Sequence, residues 1–209
     1  MKKAYITGAT GAIGMALVGE LLKNRISTTV FLRKDSGRND RVKDSFSGEL
    51  ARGLLRIEYV SLEELSGYAL SRNTQDMKTY ASQDLLTKAA GGADTAVFYH
   101  LGWSGTFGEQ RNDADMQQKN VEYTLDAVRL AKRLGCVHFI GVGSQAEYGR
   151  FDGRLTPDTR TLPENEYGRA KLAAGIRSAE LCRGLGLRHS WVRVLSVYGP
   201  FDGRNTMIM

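Results

Sequence analysis

Three side chains in the second half of this chain are of the types that move a proton. Tyr167 and Lys171 stand four residues apart in Tyr167-Gly168-Arg169-Ala170-Lys171, and Ser144 precedes them. A tyrosine hydroxyl, with an ordinary pKa of about 10, is a poor base near neutrality. Spacing of four on a helix puts the lysine on the tyrosine's face, where its ammonium favours tyrosinate. Lowering that pKa by ~3 units requires about 4 kcal/mol of differential stabilisation, which a cation a few ångströms away in a semi-buried site can supply. With nine tyrosines in the chain, one Tyr-x-x-x-Lys pair carries little weight alone. Its place after a second constellation matters more. That constellation is Thr7-Gly8-Ala9-Thr10-Gly11-Ala12-Ile13-Gly14.

Gly8, Gly11 and Gly14 follow a short apolar strand and open a helix. The tight turn needs unusual dihedrals, and the backbone must approach a pyrophosphate closely. The helix N-terminus then offers unpaired N–H groups to the phosphates. Thr10, Ala12 and Ile13 share this turn and are candidate cofactor contacts. The next strand ends Val30-Phe31-Leu32-Arg33-Lys34. An acid at its end would bind the ribose hydroxyls of NAD, and a cation the extra phosphate of NADP. Arg33 and Lys34 favour NADP over NAD, with Asp35 as a late substitute for the acid.

These groups need a scaffold, and the chain alternates β-rich apolar runs with helical patterns. Strands are expected at Ala4–Thr7, Thr28–Leu32, Arg56–Val60, Thr95–His100, His138–Val142 and Ser190–Val194, and helices at Ile13–Lys23, Gln83–Ala90, Met116–Leu134 and Glu166–Leu185. In Met116–Leu134 the apolar residues Val121, Leu125, Val128 and Ala131 recur at helical spacing, and Gly135 ends the run. Such alternation implies an α/β fold with a parallel sheet, right-handed crossovers and helices on both faces. Ligands then bind beyond the carboxyl ends of the strands, which brings the glycine turn, the segment after His100 and the Ser144 loop around one crevice. The segment Ser61–Gly92 is long and polar and gives no clear pattern.

In this ordered set the chain resembles the extended branch of the short-chain dehydrogenase/reductase superfamily, the NAD-dependent epimerases and dehydratases of nucleotide sugars. The residues carrying the resemblance are the glycine fingerprint, Phe98-Tyr99-His100-Leu101-Gly102-Trp103, Asn120-Val121, Gly143-Ser144-Gln145-Ala146-Glu147-Tyr148-Gly149, the Tyr167/Lys171 pair and Val197-Tyr198-Gly199-Pro200. The resemblance implies a Rossmann-like doubly wound parallel sheet over residues 1–200. It implies that 201–209 only begin a small C-terminal substrate domain that is otherwise largely absent. It makes His100, Leu101, Gly102 and Asn120 cofactor contacts. Lys171 would hold the nicotinamide ribose, Ser144 would orient the substrate oxygen, and Tyr167 would pass a proton to it as hydride reaches carbon. A homodimer through Met116–Leu134 and Glu166–Leu185 is the family's habit.

Dehydratases of this family carry an acid one or two positions after the loop serine. Here Gln145 and Ala146 follow Ser144, and Glu147, one further, can point away. Dehydration is therefore disfavoured. A keto reductase needs only Ser144, Tyr167, Lys171 and NADPH, so reduction of a keto group on a nucleotide deoxysugar is the expected activity. The alternatives are an epimerase that retains NAD and a nonenzymatic NADP(H) sensor. Candidate substrate contacts are Trp103, bulky where a small residue is common, Gln145, and Ser196, which replaces the usual asparagine.

Composition removes other classes. The net charge of +6 comes from basic residues dispersed among acids, not from the patch that nucleic acid would require. No stretch approaches a membrane span. The lysines ahead of Ala4-Tyr5-Ile6 mimic a signal peptide, but Thr7, Gly8, Thr10 and Gly11 interrupt any apolar core. Two cysteines and three scattered histidines form no metal motif, and reduced thiols fit a cytoplasmic protein.

Overall fold

A computed structural model describes residues 1–71 and 95–202. Their strands are β1 (Lys3–Thr7), β2 (Ser27–Leu32), β3 (Leu55–Tyr59), β4 (Ala96–His100), β5 (Cys136–Ser144) and β6 (Arg188–Val194). They form one six-stranded sheet in the order β3-β2-β1-β4-β5-β6, and every pairing is parallel. The order reverses between β1 and β4, which is where a doubly wound sheet opens its ligand crevice.

The helices are α1 (Ala12–Lys23), α2 (Asn39–Ser45), α3 (Ser47–Ala51), α4 (Leu65–Ser71), α5 (Ala114–Arg133) and α6 (Glu166–Leu185). The last begins and ends at the residues the sequence indicated, for local reasons. The Asn165 side chain accepts from the Gly168 N–H, and Gly186 stops the helix in the left-handed conformation (φ 67°). Asp113 caps α5 in the same way, accepting from the Met116 N–H. Short α2, α3 and α4 were not expected, since five to seven residues give too little periodicity to read. The expected helix Gln83–Ala90 and the helix start at 205–209 lie outside the described residues.

Both faces of the central strands β1, β2 and β4 are largely buried, as crossover helices require. On one face Ile6, Val30 and Leu32 pack against Met15, Val18 and Leu21 of α1. On the other face a row of rings crosses the sheet. Phe31 and Phe98 lie 5.9 Å apart, Phe98 and Phe139 5.8 Å, Phe139 and His189 6.1 Å, and His189 and Trp191 6.3 Å. The two free cysteines are buried, and burial raises Cys136 to about 12 and Cys182 to about 11, so neither is a ready nucleophile. Among the described residues no helix is long and apolar enough to cross a membrane.

Candidate functional site

The turn from β1 into α1 is set by contacts that exclude side chains. Gly8 has φ 76°, and a Cβ there would lie 2.6 Å from the Gly102 nitrogen. A Cβ on Gly14 would come to 2.2 Å from the Gly8 carbonyl oxygen. Gly11 is different: its backbone is extended (φ −78°, ψ 166°), and a Cβ would meet nothing nearer than 3.6 Å. Gly8 and Gly14 thus hold the turn, while Gly11 leaves open the space above it. Gly11 also brings no side chain to cap the first turn of α1, so its N–H groups remain available to an anion.

A crevice of about 670 Å³ opens here, between this turn, the end of β2, the segment after β3 and the segment Gly102–Gly105. Gly8 and Thr10 line it, as do Gly102 and Trp103. At the β2 end Arg33 lines it together with Ser36, Arg38 and Asn39, whereas Lys34 and Asp35 do not. Asn39 is 5% exposed, and its amide donates to the carbonyls of Arg33 and Lys34. The two guanidinium groups on this wall fit the phosphate groups of a dinucleotide, and Asn39 carries a buried acceptor, Oδ1, without a partner. Arg38, Ser36 and Asn39 were not anticipated. Their signal was the turn composition Ser36-Gly37-Arg38-Asn39 after the strand.

His100 and Asn120 lie behind this wall. His100 is 2% exposed, with Thr7 Oγ1 2.8 Å from Nδ1 and Thr124 Oγ1 3.2 Å from Nε2. The Thr124 hydroxyl donates to the Asn120 carbonyl, so it accepts from Nε2–H, and Nδ1 accepts from Thr7. Thr7 in turn accepts from the Gly102 N–H. The imidazole is neutral: burial, with Lys171 adding repulsion, pushes its pKa down to about 3. Asn120 accepts from the Ser104 N–H and donates to the Ser104 carbonyl. Both residues hold the segment that walls the crevice.

Beyond Trp103 the side chains are charged and aromatic. Lys171 is only 4% exposed, donates to the Val142 carbonyl at 2.7 Å and lies 3.7 Å from the Trp103 ring centre. Burial lowers its pKa to about 7, against the opposing pull of the Glu147 carboxylate. The Trp103 indole donates to Gln117 at 2.8 Å and stands edge-on to Tyr167, ring centres 6.1 Å apart. The Arg111 guanidinium lies 4.4 Å from the Tyr167 ring centre, nearer than Lys171 at 5.9 Å. No local spacing in the sequence marks Arg111.

Ser144 closes β5 and begins a single 3₁₀ turn, Gln145–Glu147. Its Oγ accepts from the Ala146 N–H at 3.2 Å, which leaves the hydroxyl proton free to donate elsewhere. Glu147 does point away, with 0% exposure. It accepts from the Ser144 N–H at 2.8 Å, from the Trp191 indole at 3.1 Å and from Arg193 Nε at 2.7 Å. Room for this comes from β5 itself, since a Cβ on Gly143 would lie 2.3 Å from Glu147 Oε1. The glycines at 141 and 143, alternating within a strand, were the overlooked sign of a close approach. A second pocket of about 360 Å³ is lined by Arg111, Ser144, Gln145, Asn165 and Val194 among others. Ser196 is exposed, beyond β6 and outside both cavities.

Comparison with known proteins gives these positions a setting. The family model described as "NAD dependent epimerase/dehydratase family" matches residues 4–209. No curated protein sequence matches. Among solved structures, the UDP-glucuronic acid 4-epimerase of Bacillus cereus in complex with NAD is similar at TM-score 0.69 and 20% identity, over 98% of this chain and 60% of that one. MoeE5 in complex with UDP-glucose and NAD gives TM-score 0.69 and 20% identity, over 98% and 57%. The UDP-Glc/GlcNAc 4-epimerase of Campylobacter jejuni gives TM-score 0.69 and 18% identity, over 92% and 53%. At such identities the likeness is one of fold. The chain spans at most 60% of the length of these three proteins.

Proposed function

Because the chain belongs to the NAD dependent epimerase/dehydratase family, we propose that it reduces a keto group of a nucleotide sugar with NADPH as the preferred cofactor. The observation that carries this reading is the presence of two unlike cavities, one lined by Trp103 and the other by Ser144 and Arg111. One is a backbone-built crevice with Arg33, Ser36 and Arg38 at the end of β2. The other is a small pocket lined by Ser144, next to Tyr167 through Arg111. Two guanidinium groups with Asp35 off the wall favour the extra phosphate of NADP.

The turn held by Gly8 and Gly14 would receive the pyrophosphate over Gly11, and Arg33 and Arg38 would receive the ribose phosphate. The bound nicotinamide would supply hydride to the carbonyl carbon. Tyr167 gives a proton to the carbonyl oxygen, which becomes the hydroxyl. Ser144, with one lone pair already used by Ala146, donates its hydroxyl proton to the same oxygen and orients it. Lys171 and Arg111 supply positive charge beside Tyr167 and favour its anion once the proton has left. Glu147 is committed to three donors and takes no part in removing water, which supports reduction over dehydration.

A second reading has a specific observation behind it. Two of the three similar structures named above are 4-epimerases, and one of these was solved with NAD. An epimerase would use the same Ser144, Tyr167 and Lys171 with a retained NAD. Titration of the purified chain with NADPH and NADH, followed by quenching of Trp103, tests the choice. Exchangeable NADPH binding more tightly than NADH is the expected result. Copurified NAD would move the assignment to the epimerase, and binding of neither dinucleotide would remove the cofactor site.

A further inference from the structure

Arg111 has no carboxylate partner among the described residues. It is half-buried, held against the Tyr167 ring at 4.4 Å, and lines the pocket that Ser144 also lines. The other charges on that pocket compensate one another, since Arg150 pairs with Glu164 at 3.3 Å. Lys171 is turned to Val142 and covered by Trp103, and it is not on the pocket wall. One unpaired guanidinium therefore faces the space next to the reacting tyrosine.

A guanidinium fork matches the two oxygens of a carboxylate, and the pair gains from partial desolvation. The pocket, at about 360 Å³, lies at the small end of the range for ligand sites, roughly 300–1,000 Å³. That suits a single sugar ring better than an entire nucleotide sugar. An anion placed there belongs to the ring and not to the diphosphate. A deoxysugar, the class suggested by the sequence, would leave Arg111 facing a methyl group.

We propose that Arg111 recognises a carboxylate on the sugar ring, so that the substrates are nucleotide-linked keto sugars carrying that carboxylate and the products are hexuronic acids. This rests on the reading of Tyr167 and Ser144 as the reacting pair. Arg111 would set specificity while its charge stays beside Tyr167.

The test is calorimetric binding of UDP-glucuronic acid and UDP-glucose to the whole chain, with and without NADPH, for the natural sequence and for Arg111→Met and Arg111→Lys. Charge-assisted hydrogen bonds to one carboxylate imply a preference for the uronic acid of about tenfold or more. Arg111→Met is expected to abolish that preference without changing affinity for UDP-glucose or NADPH, and Arg111→Lys to retain part of it. Three results overturn the proposal: equal affinity for both sugars in the natural chain, a preference that survives in Arg111→Met, or no binding of either sugar nucleotide. An equal loss for both sugars in Arg111→Met overturns it too, because the guanidinium would then meet the diphosphate. Failure of NADPH to bind, with the sugar preference intact, sinks the cofactor reading and leaves this one standing.

Discussion

The crevice beside Gly8 and Gly14 is walled largely by main chain and small residues, and its open surfaces are uncapped N–H groups and two exposed arginines. The flank around Tyr167 is walled by side chains already engaged with each other. Lys171 lies on Trp103, Arg111 on Tyr167, and Glu147 holds Trp191, Arg193 and the Ser144 amide. The first region is preorganised by what is missing, the second by charges held in a dry place at a cost to folding. One therefore expects binding to fail when atoms are added to the crevice, and chemistry to fail when atoms are removed from the flank.

The largest effect should come from Tyr167→Phe. Losing a positioned proton donor is expected to lower kcat by about 10²–10⁴-fold while NADPH affinity stays unchanged. Steady-state kinetics beside the binding titration would show whether the two regions separate as described. Turnover near the natural level would remove Tyr167 from the reaction.

Next come the glycines, which divide the crevice itself. Gly14→Ala forces a Cβ to 2.2 Å from a backbone oxygen, an overpacking expected to cost about 1–3 kcal/mol. Gly11→Ala meets only an ordinary contact at 3.6 Å, so its melting temperature should match the natural chain while dinucleotide affinity falls. Equal destabilisation of both variants would erase the distinction between holding the turn and facing the ligand.

Lys171→Met is a milder and opposite case. Burial lowers Lys171 from 10.5 to about 7, so between those values the unfolded chain binds more protons than the folded one. Stability then rises with pH across that window, and the full cost applies below it. Removing the charge should raise the melting temperature near neutral pH, by about 2–4 °C for each kcal/mol recovered, with the gain shrinking towards alkaline pH. Activity should be lost. A variant less stable than the natural chain would mean that the Val142 and Trp103 contacts outweigh the burial cost.

The smallest effect concerns His100. Its pKa falls from 6.5 to about 3 on folding, so its contribution is present above the higher value and is lost as pH falls through the lower one. Urea unfolding at a series of acid pH values should show a shallower loss of stability in His100→Gln than in the natural chain. Identical slopes would indicate that other groups govern the acid limb.

The glycine turn, the strands and the Tyr167/Lys171 helix were readable in the sequence because each follows a local rule of spacing, cap or periodicity. The Glu166–Leu185 helix is announced by Asn165 and Gly186 at its own ends. Arg111, Trp191 and Arg193 follow no such rule. They meet Tyr167 and Glu147 only because parallel strands and crossovers bring distant segments together, with 46 positions separating Arg193 from Glu147. Lys171 shows the same limit from another side. Its place on the helix follows from spacing, but its cover by Trp103 and the resulting drop in pKa depend on packing.

The anchoring of Glu147 has a consequence for how the protein is made. Its turn leaves the ribosome well before Trp191 and Arg193, both on the edge strand β6. Until that strand docks, the carboxylate would be buried without its cation, which costs several kcal/mol, so the turn carrying Ser144 has reason to stay open. The glycine turn and its neighbouring strands need nothing from β6 and can settle earlier. A nascent chain would therefore set its glycine turn before the turn that carries Ser144, which waits for β6.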